Sequence, residues 1–299
     1  MYSANPASCR RNPPRSEFAA DARSPDDHAF WREMLRWEGD RILFDPYDAK
    51  AWYYRGVAFT KLGRSEDAWR CYERALKLNP LDAKAWSNKG VSLQDLGRCE
   101  EARKCYERAI ELDPGLASAW CNQGVVCATL GHFQEALECF ERALEANPRL
   151  AEAWDNKGGT LRKLGREEES LECYDRALEI NPRLIRTWVN KGITLGNLGR
   201  HEEALECFDR VLEINPGLFS AWGNKGVSLA NLGRVEEALK CYDRALEINP
   251  RYANGWFPKG VALQNLGRHE EARKTFEEAA KLGHPHAPRA LEVLNQEAH

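Results

Sequence analysis

Apolar residues recur along most of this chain at helical spacing, and the helical pattern itself recurs every 34 residues. In "AWSNKGVSLQDLGR", Ala85 to Arg98, the residues Trp86, Gly90 and Leu93 mark one buried stripe at i, i+4 and i+7. Asn88 lies about 200° from Trp86 at roughly 100° per residue, so it faces the other way. The tryptophans Trp52, Trp86, Trp120, Trp154, Trp188, Trp222 and Trp256 keep the 34-residue step without a slip. A glycine follows each tryptophan at the fourth position and another at the eleventh. Then come a small residue (Ala68 to Ala272), an aromatic (Tyr72 to Phe276) and an Ala or Val. Six repeats close with Asn-Pro or Asp-Pro, from Pro80 to Pro250.

Each repeat therefore predicts two helices. Helix A runs from just before the Trp to a Leu-Gly, whose glycine supplies a left-handed residue after the helix end. Helix B starts at an acidic pair such as Glu202 and Glu203, which complements the helix dipole. It is expected to end at Asn-Pro, with the Asn left-handed and the Pro unable to continue the helix. The first glycine and the small residue let A and B cross closely, and the Trp and the helix B aromatic are expected to fill the space on either side. No pair buries both apolar faces alone, so the pairs must stack, and the fold class is all-α.

The pattern resembles the tetratricopeptide repeat family, whose signature is W-x2-L-G-x2-Y…A-x3-F…P over 34 residues. Residues 49–286 match as seven repeats: 49–82, 83–116, 117–150, 151–184, 185–218, 219–252 and 253–286. The resemblance implies a right-handed α-solenoid of stacked antiparallel helix pairs. One departure is systematic: the family's Leu before the first glycine is Arg55, Lys89, Gln123, Lys157, Lys191, Lys225 or Lys259. An alkyl stem can cover the same surface while its charge reaches water. Residues 1–28, with four prolines and no hydrophobic period, are expected to be a disordered tail. Residues 29–48 read as a degenerate capping half-repeat, with a helix over 29–44. Residues 287–299 read as a C-terminal cap and tail, with Leu291 and Leu294 packing back on repeat seven. Pro258, where repeats two to six carry Asn, is expected to disturb its helix.

Composition narrows the function. A formal net charge of -3 gives no electrostatic footprint for nucleic acid or anionic lipid. No apolar run approaches membrane-spanning length and no secretory core is present. The arginines of the tail hint at a transit peptide, but Pro6, Pro13 and Pro14 oppose the helix one needs. Six of the ten cysteines (Cys71, Cys105, Cys139, Cys173, Cys207 and Cys241) share one repeat position. Equivalent positions on successive turns cannot converge on a metal, so buried reduced thiols in a cytoplasmic protein are expected. The histidines are scattered, apart from a His284-Pro-His286 turn, and every Leu-Gly-Arg is a helix–helix turn rather than a phosphate loop. Neither a catalytic constellation nor a cofactor or metal is expected.

The candidate site is the free face of helix A. It carries Asn88, Asn122, Asn156, Asn190 and Asn224, flanked by Val91 and Val125, with Asn197, Asn231 and Asn265 one turn further on. A primary amide offers two donors and one acceptor, so a row of them can hold an extended backbone without reading its sequence. The resemblance implies that this face is concave and binds peptides, and the row is similar to the asparagine ladder in the superhelix of O-linked N-acetylglucosamine transferases. The amides are equally consistent with a consensus residue copied by duplication, and the valines with packing between neighbouring A helices. The chaperone-binding carboxylate clamp of the family is missing: its Lys and Asn positions hold Tyr53 and Val57, Ser87 and Val91, or Cys121 and Val125. The expected function is a non-catalytic scaffold, monomeric or weakly oligomeric, binding an extended peptide or disordered segment. The alternative is a self-associating structural protein.

Overall fold

The computed structural model describes residues 25–297. These residues form sixteen α-helices and no strand. In chain order they are α1 (Pro25–Phe44), α2 (Ala49–Lys61), α3 (Ser65–Leu78), α4 (Ala83–Asp95), α5 (Cys99–Leu112), α6 (Ala117–Leu130), α7 (Phe133–Ala146) and α8 (Ala151–Lys163). They continue as α9 (Glu167–Ile180), α10 (Ile185–Asn197), α11 (His201–Ile214), α12 (Phe219–Asn231), α13 (Val235–Ile248), α14 (Ala253–Asn265), α15 (His269–Lys281) and α16 (Ala287–Glu297). From α2 to α15 the even-numbered helices are A helices and the odd-numbered ones B helices. The chain divides into two compact units, one ending at Glu169 and one beginning at Ser170, within the first turn of α9. Each unit is a stack of helix pairs.

The local sequence explains where helices stop. Gly63, after α2, has φ of 74°. Its N–H bonds the Thr60 carbonyl, and that of Arg64 bonds Phe59, so the last turn closes as a Schellman motif. The B helices end differently from the expected left-handed Asn. No residue other than glycine has positive φ among the described residues, and Asn79 and Asn147 are extended at φ of -135° and -145°. A following proline excludes helical and favours extended geometry. The side chain then caps the turn instead: Asn147 Oδ1 accepts from the Arg149 N–H at 3.1 Å, and Asn181, Asn215 and Asn249 repeat this.

Two A helices carry a side-chain N-cap: Asp48 accepts from the Ala51 N–H, and Asp82 from that of Ala85, each at 3.0 Å. The bond from Ala51 and the neighbouring Arg41 guanidinium hold the Asp48 carboxyl below its ordinary pKa. Asp48→Ala should cost about 0.5–2 kcal/mol, the range for losing an N-cap, measured by urea unfolding. A depressed carboxyl stabilises the fold above its unfolded pKa. The difference from wild type should therefore shrink as pH falls through the folded-state value.

The core lies where A and B helices cross. The largest fully buried side chains are the B-helix aromatics Tyr72, Tyr106, Phe140, Tyr174, Phe208, Tyr242 and Phe276, with several leucines. A Cβ on Gly124 would stand 2.7 Å from Phe140 Cε1, so only glycine lets α6 approach that ring. The seven tryptophans that open the A helices are only half-buried. Their indole N–H groups require acceptors and find the proline carbonyl of the preceding turn, as Trp86 Nε1 does at Pro80 (2.9 Å) and Trp154 at Pro148 (3.0 Å). The turn lies at the surface and keeps the ring there.

The terminal helices differ in part from expectation. α1 begins at Pro25, so residues 25–28 are helical rather than tail. Proline suits a first helical position. Residues 1–24 lie outside the described residues. Ile42 is buried, Leu35 packs beside Tyr72, and Arg41 bridges Glu38 to Asp48. At the other end Leu294 is buried with Phe276 and Leu291 packs beside it. Pro258 sits inside α14, which continues through it.

Candidate peptide-binding face

In the first unit Asn88, Asn122 and Asn156 lie half-buried on α4, α6 and α8. Asn88 Nδ2 donates to the Tyr53 hydroxyl on α2 at 3.1 Å. Asn156 Nδ2 donates to Cys121 Sγ on α6 at 3.8 Å. In these two repeats the amide two residues after the Trp reaches the residue one place after the preceding Trp. Burial pushes the Tyr53 hydroxyl pKa up, with the Asp82 carboxylate adding to it, so the phenol stays neutral and accepts. Sequence reasoning missed these partners, because Tyr53 and Cys121 occupy a position without a constant residue type. One such bond uses one of the amide's two donors.

In the second unit Asn190 and Asn224 are half-buried on α10 and α12. Asn197, Asn231 and Asn265 are exposed at the C-terminal ends of their helices. Asn231 Nδ2 turns back to its own Val227 carbonyl at 2.9 Å. Val91 and Val125 are half-buried and pack against the cores around Tyr106 and Phe140, so they contribute more to packing than to an open surface. Val227 and Val261 are exposed.

The residue replacing the family's Leu has a definite role. Lys157 Nζ lies 5.9 Å from the Trp154 ring centroid and bonds Glu141 on α7 at 3.0 Å. Lys191 with Asp175, Lys225 with Asp209 and Lys259 with Asp243 repeat the tie. The stem covers the tryptophan and the charge joins one repeat to the preceding helix B.

The six repeat cysteines are buried thiols, as are Cys121 and Cys127. Cys99 is buried as well, at the start of α5. Burial pushes Cys71, Cys105 and Cys207 up to about 11. At pH 8 a thiolate fraction on the order of 10⁻³ follows for these three. Iodoacetamide should accordingly label them at least about 100-fold more slowly in the native protein than in urea. Equal rates would place them on the surface.

Sequence comparison identifies the architecture. The tetratricopeptide repeat family matches residues 81–149 and 149–216, residues 49–81 and 219–252, and residues 241–274. This chain is a tetratricopeptide repeat protein. Among solved structures, YrrB, described as a TPR protein with an unusual peptide-binding site, is 31% identical with a TM-score of 0.54. The match covers 63% of this chain and 97% of that one. A tetratricopeptide repeat protein from Parabacteroides merdae aligns with a TM-score of 0.60 and 19% identity, over 82% of this chain and 98% of that one. The APC/C hetero-tetramer Cut9-Hcn1 gives 0.67 and 15%, over 94% of this chain and 58% of that one. The last two show the fold alone. No curated protein matches the sequence significantly.

Tetratricopeptide repeat proteins are protein–protein interaction scaffolds, generally non-catalytic, and this one shares that architecture. Among the described residues no group of three or more His, Cys, Asp or Glu could hold a metal ion. No described helix is long and apolar enough to cross a membrane.

Proposed function

We propose that the tetratricopeptide repeat protein binds an extended, otherwise unstructured peptide by its backbone, through Asn88, Asn122 and Asn156 on the first unit. Asn190 and Asn224 serve the same purpose on the second. The observation that carries this reading is the Asn88–Tyr53 bond. It holds the amide against a neighbouring A helix and so reduces the ordering cost that a free side chain would pay on binding. The peptide-binding site of YrrB, on a related array of repeats, supports the same use of the fold. Backbone recognition makes the contacts tolerant of sequence, and selectivity falls to the varied residues on the A helices.

The reading is tested with a random peptide library displayed on phage and selected on the full chain. A selected peptide, fluorescently labelled, is then titrated with wild type and with Asn88→Ala/Asn122→Ala/Asn156→Ala. Loss of binding in a folded triple variant is the expected result. Unchanged affinity would overturn the reading.

A further inference from the structure

α1 stands where a helix B would precede the first repeat, with Pro46 after it as Pro80 follows α3. It packs on α2 as each helix B packs on the next helix A, with Ile42 buried and Leu35 against the core of Phe59 and Tyr72. A helix B has a second neighbour, the helix A of its own repeat. A Cβ on Gly192 of α10 would stand 3.2 Å from Cys207 Cβ on α11, so helix A covers that position. The position is buried in all seven repeats, from Cys71 to Thr275. Its counterpart on α1 is Trp37, which is 58% exposed. Counted back by one period from α2, a helix A for α1 would need residues 15–27, and α1 itself takes up 25–27. The place of that helix A is therefore open to another occupant.

The uncovered side has the pattern of a helix-packing seam. Phe30, Met34, Trp37, Arg41 and Phe44 follow the alternating four- and three-residue spacing by which one helix packs along another. Phe30 is 56% exposed and Phe44 94%. With Trp37 they leave about 400 Å² of aromatic surface in water. Terminal faces of repeat arrays are ordinarily polar, so this stripe calls for a cover. Arg41, the one charged member, lies 5.0 Å from the Trp37 ring centroid and is paired with Glu38 and Asp48. Glu33 and Asp40 are exposed along one flank, roughly 40–60° round the helix from Trp37.

These features choose among occupants. The aromatic area is about half of what each partner contributes to a standard protein interface, and it suits a single helix. Two antiparallel copies of α1, the arrangement of helices A and B, would set Glu33 of each beside Asp40 of the other. Such like-charge pairs oppose self-association through this face. We infer that α1 docks an amphipathic helix of another protein along Phe30, Trp37 and Phe44, in the place of the missing helix A. The docking helix carries an apolar seam at the same spacing and lysine or arginine on the flank that meets Glu33 and Asp40. Burial of the aromatics supplies the affinity, and the charged flank selects the partner. α1 carries none of the asparagines of the peptide-binding face, so the two surfaces can be tested apart.

The test displays on phage a library of helical peptides the length of α1, with seam and flank positions randomised, and selects on the full chain. Selected helices, synthesised with a fluorophore, are titrated with wild type, with Trp37→Ala/Phe44→Ala and with Glu33→Lys/Asp40→Lys. All four side chains are exposed, so both variants should keep the wild-type circular dichroism. Helices with a basic flank are the expected selection. Affinity should fall at least about tenfold in the aromatic variant and several-fold in the charge-reversed one, the second loss shrinking in high salt. Helices that bind both variants as well as wild type, or selected flanks that are not basic, would overturn the inference. So would sedimentation of the full chain as a dimer that Trp37→Ala/Phe44→Ala dissolves, which assigns the face to a second copy. Binding that appears only after removal of residues 1–24 would assign it to the chain's own N-terminal segment and overturn the inference equally.

Discussion

Phe140→Ala is expected to cost about 3–5 kcal/mol of stability, the range for truncating a fully buried aromatic. The ring has no solvent exposure and rests on Gly124, so its removal leaves a cavity that the rigid backbones of α6 and α7 cannot close. Trp154→Ala should cost only about half as much. Its ring is half-buried, and its indole N–H bonds the Pro148 carbonyl at the surface. Contacts in a repeat array couple nearest neighbours, so the damage can appear as partial unfolding around repeat three rather than as a lower single midpoint. Urea unfolding followed by circular dichroism, with hydrogen exchange to locate the opened helices, reads both effects. A larger loss for Trp154→Ala than for Phe140→Ala would invert the assignment of the core.

Replacing Asn88, Asn122 and Asn156 together by alanine is expected to weaken a backbone-held peptide by about two orders of magnitude. Each amide contact contributes a net 0.5–1.5 kcal/mol or so, and a hundredfold loss corresponds to about 2.7 kcal/mol. Single replacements should cost only several-fold. Asn88→Ala also removes the bond to Tyr53, so Tyr53→Phe is the informative control. It deletes the acceptor but leaves the amide. If Asn88 acts only as a tie between α4 and α2, the two variants will shift stability equally and neither will change peptide affinity. If the amide holds a ligand, Asn88→Ala alone will weaken binding well beyond the control.

Much of the fold was legible because its causes are local. Gly63 and Gly97 end A helices by a backbone conformation that few other residues adopt, and the acidic residues Glu202 and Glu203 open α11 as the period requires. The Asn-Pro turns were misread for an equally local reason. The proline constrains its predecessor more strongly than asparagine's tolerance for left-handed geometry, and Asn79 is extended. The candidate face was legible only as a direction. The 200° offset puts Asn88 opposite Trp86, but an angle on one helix does not say what stands across from it.

The 34-residue period by itself determined the helices, their turns, the glycine that admits each B-helix aromatic, and the family. Those features depend on residues within one repeat, close enough in sequence for spacing to report them. Only the tertiary structure decided that Trp154 is half-buried on a proline carbonyl, that Lys157 ties to Glu141, and that Asn88 is held by Tyr53. Each of these joins different elements, where the contact depends on how closely two helices approach and on which rotamer reaches across. Periodicity sets the angular position of a side chain on its helix but not the distance to its partner.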